Sequence, residues 1–114
     1  MDFFLSLAWL LGAMFFGIAM GSMTGLIPGF HVNNVALILL SLSPAFLAIG
    51  IPLFAVAAII VACGTVHTFL NYIPSALIGA PDADQALALL PGHRMLLQGN
   101  APKGVAYSAR GSQL

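Results

Sequence analysis

Apolar positions run almost unbroken from Phe3, and no Asp, Glu, Lys or Arg occurs from Phe3 to Pro81. A helix that crosses a bilayer needs about 20 such residues, so this stretch has room for two or three crossings. The first is Phe3 to Thr24, apolar around most of its circumference, as a segment facing lipid and protein should be. Glycines at Gly17, Gly21, Gly25 and Gly29 are spaced by four. On a helix they form a bare stripe that lets another backbone approach, the usual packing surface in lipid. The stripe runs into Leu26-Ile27-Pro28-Gly29. Pro28 donates no backbone hydrogen bond and disfavours helix at Ile27, and Gly29 tolerates positive φ. The helix should break here.

Three polar residues, His31, Asn33 and Asn34, follow the break and lead into VALILL. Asn33 or Asn34 can cap a new helix that runs to about Leu42. At roughly ten residues it is too short to cross a full bilayer, which predicts a half-helix or re-entrant segment. A continuation through Pro44 to Gly50 would be long enough to span, and the sequence leaves that open. Ser43-Pro44 and Gly50-Ile-Pro52 mark breaks around a short connector.

The second span is expected from Leu53, after Pro52, to about Tyr72. Its first half, FAVAAIIVAC, is plain. Its second half carries Gly64, Thr65, His67, Thr68, Asn71 and Ser75. Gly64, Thr68, Asn71 and Ser75 recur at helical spacing as one polar stripe. Pro74 and Gly79-Ala80-Pro81 predict irregular backbone from Ile73 to Pro81. Asp82-Ala-Asp-Gln85 has the spacing of a capping box, opening a short helix that Pro91-Gly92 should stop. Residues 99–104 read as a loop, and Val105 to Leu114 adds no further span. The expected fold is an all-α integral membrane protein with two or three transmembrane helices, a broken or re-entrant helix and a short interfacial helix. In one membrane region, 1–114, the first span covers 1–25, the break and half-helix 26–43, the second span 52–73, and the interfacial helix and loop 82–104.

Composition agrees: 61% of residues are hydrophobic and 5% charged, against about 25% charged in globular proteins. The net charge is zero, and no basic run suggests nucleic acid. Arg94, Lys103 and Arg110 all lie in the last part, which by the positive-inside rule faces the cytoplasm. The lone Cys63 implies no disulfide. The three histidines fall on separate elements and give no metal spacing. Neither a nucleophile–base pair nor a phosphate loop points to an enzyme, and nothing calls for a cofactor.

A broken helix with polar residues inside a membrane-like sequence is the pattern that lines solute and ion sites in transporters. The candidate substrate or ion contacts are Pro28, Gly29, His31, Asn33, Asn34, Thr65, Thr68, Asn71, Ser75 and Asp82. Gly17, Gly21 and Gly25 are assigned to helix packing. The blander readings are a capped helix break at 28–34, interhelical hydrogen bonds for the Thr65–Ser75 stripe, and helix caps for Asp82 and Asp84. His67 reads as a packed, hydrogen-bonded histidine.

LIPGFHVNNVALILL, followed by NYIPSALIGAPDADQALALLPGHRMLLQGNAPKGVAYSARGS, resembles the start of the large membrane subunit of tripartite tricarboxylate transporters. The matching residues of the second block are Pro74, Ser75, Gly79, Pro81, Asp82, Pro91, Gly92, His93, Arg94, Met95 and Gly99. The sequence departs from the citrate-type pattern at His31 and in lacking a dense Gly/Ser/Thr run before the proline loop. The resemblance implies a multi-pass cell-membrane permease for organic carboxylates, driven by an ion gradient. It also implies partners beyond the lipid bilayer: the remaining part of the permease, a small membrane subunit and an extracytoplasmic solute-binding protein. Family members are several times longer, so the chain is expected to be one piece of such a permease. The alternative is a small structural or accessory membrane protein that assembles through its glycine stripe.

Overall fold

The computed structural model describes residues 2–79 and 86–113. Among them are seven helices and no strand: α1 (Phe3–Leu26), α2 (Val32–Ser41), α3 (Ser43–Ala48), α4 (Leu53–Leu70), α5 (Tyr72–Ile78), α6 (Ala86–Leu97) and α7 (Ala101–Gly111). Phe3–Leu26 and Leu53–Ile78 are each long and apolar enough to cross a membrane. Large apolar side chains such as Phe4, Phe15 and Val61 point outward from them. That arrangement suits an apolar solvent.

The two long helices lie side by side and run in the same direction. A β-carbon on Gly17 would meet Ile59 and Ala62, one on Gly21 would meet Cys63 and Val66, and one on Gly25 would meet His67 and Leu70. As the number rises on one helix it rises on the other. The three glycines are buried, so the stripe is engaged within the chain rather than left for self-assembly. Gly29 has left the stripe: it is exposed in the turn after α1, with φ +85°.

Parallel neighbours require the chain to travel back between them. α2 and α3 make that return. Val32 at the start of α2 reaches Gly64, whereas Leu39 and Phe46 line the same cavity as Ala55 and Val56. The path therefore runs opposite to α4. Only Leu42 separates α2 from α3, and Pro44 sits in the first turn of α3, where its missing N–H costs nothing. At ~1.5 Å per residue the pair reaches about 25 Å, close to a hydrocarbon core of about 30 Å. The half-helix is thus only the first part of a longer return, and the expected connector is itself helical.

The structure corrects four other expectations. The residue preceding α2 is His31, with no side-chain cap, so Asn33 and Asn34 lie inside the first turn instead of capping it. Ile73 to Gly79 is not irregular: α5 follows α4 with only Asn71 between them, in right-handed helical conformation. Helix tolerates Pro74 there because it lies in the first turn of α5, and Gly79 ends the element at φ +73°. Pro91 does not stop the next helix, since α6 passes through it to Leu97. Residues 101–104, expected in a loop, instead begin the helix that runs to Gly111, with Pro102 in the first turn. The capping box Asp82–Gln85 lies outside the described residues.

α6 and α7 form a hairpin against α5. A β-carbon on Gly92 would collide with the Tyr72 hydroxyl, and one on Gly104 would rest on the Gly92 backbone. Small residues at both positions let the hairpin seat closely.

Candidate functional site at the paired helix ends

The parallel register places the ends of α1 and α4–α5 together. Gly25 lies against His67 and Leu70. Pro28 comes three residues after Gly25, and Pro74 four after Leu70. Both prolines therefore act at the same end of the helix pair, although 46 positions apart in sequence.

They act differently. Pro28 and Gly29 end α1 outright. Ile27 is already extended, at φ −95° and ψ 110°, and helix resumes only at Val32. Pro74 leaves the helix intact but removes one donor. The carbonyl of Leu70, four residues earlier, loses its usual partner. The second interruption is thus a missing bond in a continuing helix, not an unwound segment. It offers an acceptor, and no new helix N-terminus begins at Tyr72. Among the described residues, backbone amides are available to an anion in the first turn of α2.

Between the helices is a buried polar face. Cys63, His67, Asn71 and Ser75 are all buried and four residues apart. Thr24 faces them from α1, 6% exposed, its Oγ1 3.0 Å from Nδ1 of His67. The Thr24 hydroxyl also donates to the Gly21 carbonyl at 3.3 Å. Ser75 donates to Oδ1 of Asn71 at 3.5 Å. Among the described residues, no buried side-chain nitrogen or oxygen lacks a hydrogen-bond partner. The face is satisfied, which is what a polar group in lipid requires.

The residues singled out in the sequence fall into three places. Asn71 and Ser75 belong to the buried face. Pro28, Gly29, His31, Asn33 and Asn34 are exposed around the break. Thr65 and Thr68 are exposed on α4, and their hydroxyls donate to the carbonyls of Val61 and Gly64 one turn back, at 2.8 and 2.9 Å. They are not brought to the other two groups, so the polar stripe is one residue out of register with the face that is buried. Asp82 is outside the described residues. His67 is packed and hydrogen-bonded, as its sequence context suggested. Thr24, which joins this buried face, was not singled out in the sequence. Its signal was present: it lies three residues after Gly21 and shares that glycine's face.

A second space, of about 410 Å³, opens nearer the start of α1. Trp9, Phe16, Leu39, Phe46 and Val56 are among its lining residues, all of them apolar. A carboxylate placed there would lose its hydration without gaining a partner, so the polar end of the helix pair is the candidate site. No group of three or more potential metal ligands occurs among the described residues.

The tripartite tricarboxylate transporter TctA family matches over residues 11–114. The chain belongs to this family. It is a membrane protein of a family named for transport. It is also 36% identical over 98 residues to an uncharacterized protein of Methanocaldococcus jannaschii, a match covering 86% of this chain and 23% of the archaeal protein. The chain therefore spans about a quarter of the length of that relative. No solved structure matches.

Proposed function

We propose that this chain is the first part of a multi-pass permease for organic carboxylates, and that the paired ends of α1 and α4–α5 form one wall of its substrate path. One observation carries the reading. Parallel packing sets the open backbone at 27–31 beside the buried polar residues Thr24, His67, Asn71 and Ser75, at one end of two spans that are otherwise apolar. Polar groups and interrupted helix are costly in lipid and persist where they line a cavity.

In this reading the chain crosses the membrane three times, with α2–α3 as the return. The first-turn amides of α2 and the side chains of Asn33 and Asn34 meet the carboxylate. His31, at the head of α2, stands at the mouth of the path. The Leu70 carbonyl and the Asn71–Ser75 pair supply acceptors on the opposite wall. Thr65 and Thr68, turned away from the pair, contact the remaining part of the permease. Asp82, which follows α5 in sequence, is kept as a candidate substrate or ion contact. Alternating access comes from rocking this unit against the rest of the permease, with a small membrane subunit and an extracytoplasmic binding protein as partners and the cell membrane as its place.

The test is uptake of radiolabelled carboxylates by the whole transporter. Gly29→Leu forces a branched side chain into left-handed backbone, and Asn71→Leu removes the polar centre of the second wall. Both variants should insert normally and lose uptake. Unchanged transport in both contradicts the assignment of this wall.

A further inference from the structure

A cleft of about 320 Å³ separates α7 from the end of the second span. Phe69, Leu70 and Ile73 form one wall. Val105 and Ala109 of α7, with Gln113 just after it, form the other. Phe69 to Ile73 come 16 to 20 residues after Leu53, the first residue of α4. At ~1.5 Å per residue that is about 24–30 Å, close to the thickness of a hydrocarbon core of about 30 Å. With the turn at Gly50–Pro52 at one face of the bilayer, the cleft stands at the other, where acyl chains give way to head groups.

α7 has two faces. Gly104 is buried, and Val105 and Ser108 are half-buried, so this side turns toward the protein. Lys103, Tyr107 and Arg110 are all exposed. Their spacing of four and three puts them in one stripe, on the other side of the helix. Gln113, at the edge of the cleft, follows Arg110 by about one turn, so the rim of the cleft adjoins the basic stripe. Arg94 on α6 is exposed as well. These three are all the Lys and Arg residues of the chain, and every one lies at this end. Residues 86–113 contain no Asp or Glu. Asp82 and Asp84 precede α6 and lie outside the described residues.

We propose that α7 and the end of the second span form a binding site for an anionic phospholipid. One acyl chain lies in the cleft between Phe69–Ile73 and α7, and the head group spreads over Lys103 and Arg110. Each part of the lipid meets matching chemistry. The apolar walls take acyl carbon, and basic residues just outside the hydrocarbon attract negative head groups. The Tyr107 ring, apolar with a polar tip, suits the level between the two. By the positive-inside rule this end faces the cytoplasm, where the leaflet carries a negative surface potential. A protein helix laid over the same stripe would take Lys103 and Arg110 out of water, and a charge pair buried in that way returns little. Lipid head groups leave both side chains wet. The site is independent of the solute that the permease carries.

The experiment uses the full chain in phosphatidylcholine vesicles, with phosphatidylglycerol as the anionic probe. Trp9 is the only tryptophan and lies toward the opposite end of the spans. Phe69→Trp in a Trp9→Phe background therefore places a single fluorophore at the cleft. Brominated acyl chains quench tryptophan on contact. Brominated phosphatidylglycerol should quench this reporter at a mole fraction about tenfold lower than brominated phosphatidylcholine with the same chains. Lys103→Gln and Arg110→Gln should each reduce that preference by about fivefold, and added salt should weaken it. At Trp9, in the chain with Phe69 intact, the two lipids should quench alike. Equal quenching of the Phe69→Trp reporter by both lipids overturns the proposal. So does a preference that survives both charge removals, or one equally strong at Trp9. Quenching by neither lipid shows a cleft closed by protein, which overturns it too. A measurement on the unsubstituted chain makes the test independent of the reporter. After extraction from vesicles holding equal amounts of the two lipids, native mass spectrometry should find phosphatidylglycerol retained in excess. Equal retention also overturns the inference.

Discussion

Gly21 and Cys63 touch backbone to backbone: a β-carbon on Gly21 would sit 2.5 Å from the carbonyl oxygen of Cys63 and 3.0 Å from its Cα. Neither atom can move without moving α4. This contact is the closest point of the seam that sets the register of the two spans, and therefore places Thr24 beside His67 one turn further on. Gly12, on the same helix, has nothing within 4 Å of its would-be β-carbon.

The contrast gives a paired prediction. Gly21→Val should force α1 and α4 apart and lower stability by about 1–3 kcal/mol, the usual cost of overpacking a close contact. Gly12→Ala should leave stability unchanged or raise it slightly, since alanine is the better helix former. Denaturation of the purified chain in mixed micelles, followed by helical circular dichroism, separates the two. Equal midpoints for both variants would show that the seam is not where the spans are held.

Pro74 leads to a different expectation. Alanine at this position restores the donor for the Leu70 carbonyl and relieves a proline that costs up to about 3 kcal/mol in helix interiors. Because Pro74 lies only in the first turn of α5, a gain of about 1–2 kcal/mol is expected, together with reduced uptake by the whole transporter as the acceptor is lost. Higher stability with undiminished uptake would remove the Leu70 carbonyl from the substrate path.

Much of this arrangement was legible in the sequence, and the reason differs from element to element. The end of α1 could be read because Pro28 and Gly29 act locally: one removes a donor, and the other accepts φ +85°. The spans could be read because a charge-free stretch of that length has few other fates. Four of the prolines after the break were harder. Pro44 and Pro102 stand in the first turn of a helix, where a missing N–H has no partner to lose, so they begin elements rather than end them; Pro74 lies where α4 continues into α5 and removes one bond without ending the helix. Pro91 sits inside α6, and propensity alone argues against that. The hairpin's close seating, Gly92 under Tyr72 and Gly104 on Gly92, is a tertiary contact that can override local preference. The polar face was misjudged by one position. The sequence offers both Gly64–Thr68 and Cys63–His67 as leads into Asn71 and Ser75. Only the packing of α1 decides that Cys63 and His67 turn inward while Thr68 bonds back to its own helix.

The α6–α7 hairpin supplies a further prediction. Gly92→Leu should drive the Tyr72 side chain out of its seat and detach the hairpin from α5. Trypsin would then cut faster after Arg94, Lys103 and Arg110, all exposed, while α1 and α4 remain paired. An unchanged digestion rate would show that the hairpin is held by other contacts.

The central claim is that α1 and α4 run parallel, in the register that joins Thr24 to His67. Cysteines at these two positions, in a Cys63→Ala background, test it directly in native membranes. Mild oxidation should link Thr24→Cys to His67→Cys within one chain and leave Thr24→Cys with Ile60→Cys unlinked. An antiparallel pair crossing at Gly21 and Cys63 reverses that outcome, and a bond between positions 24 and 60 with none between 24 and 67 would contradict the account.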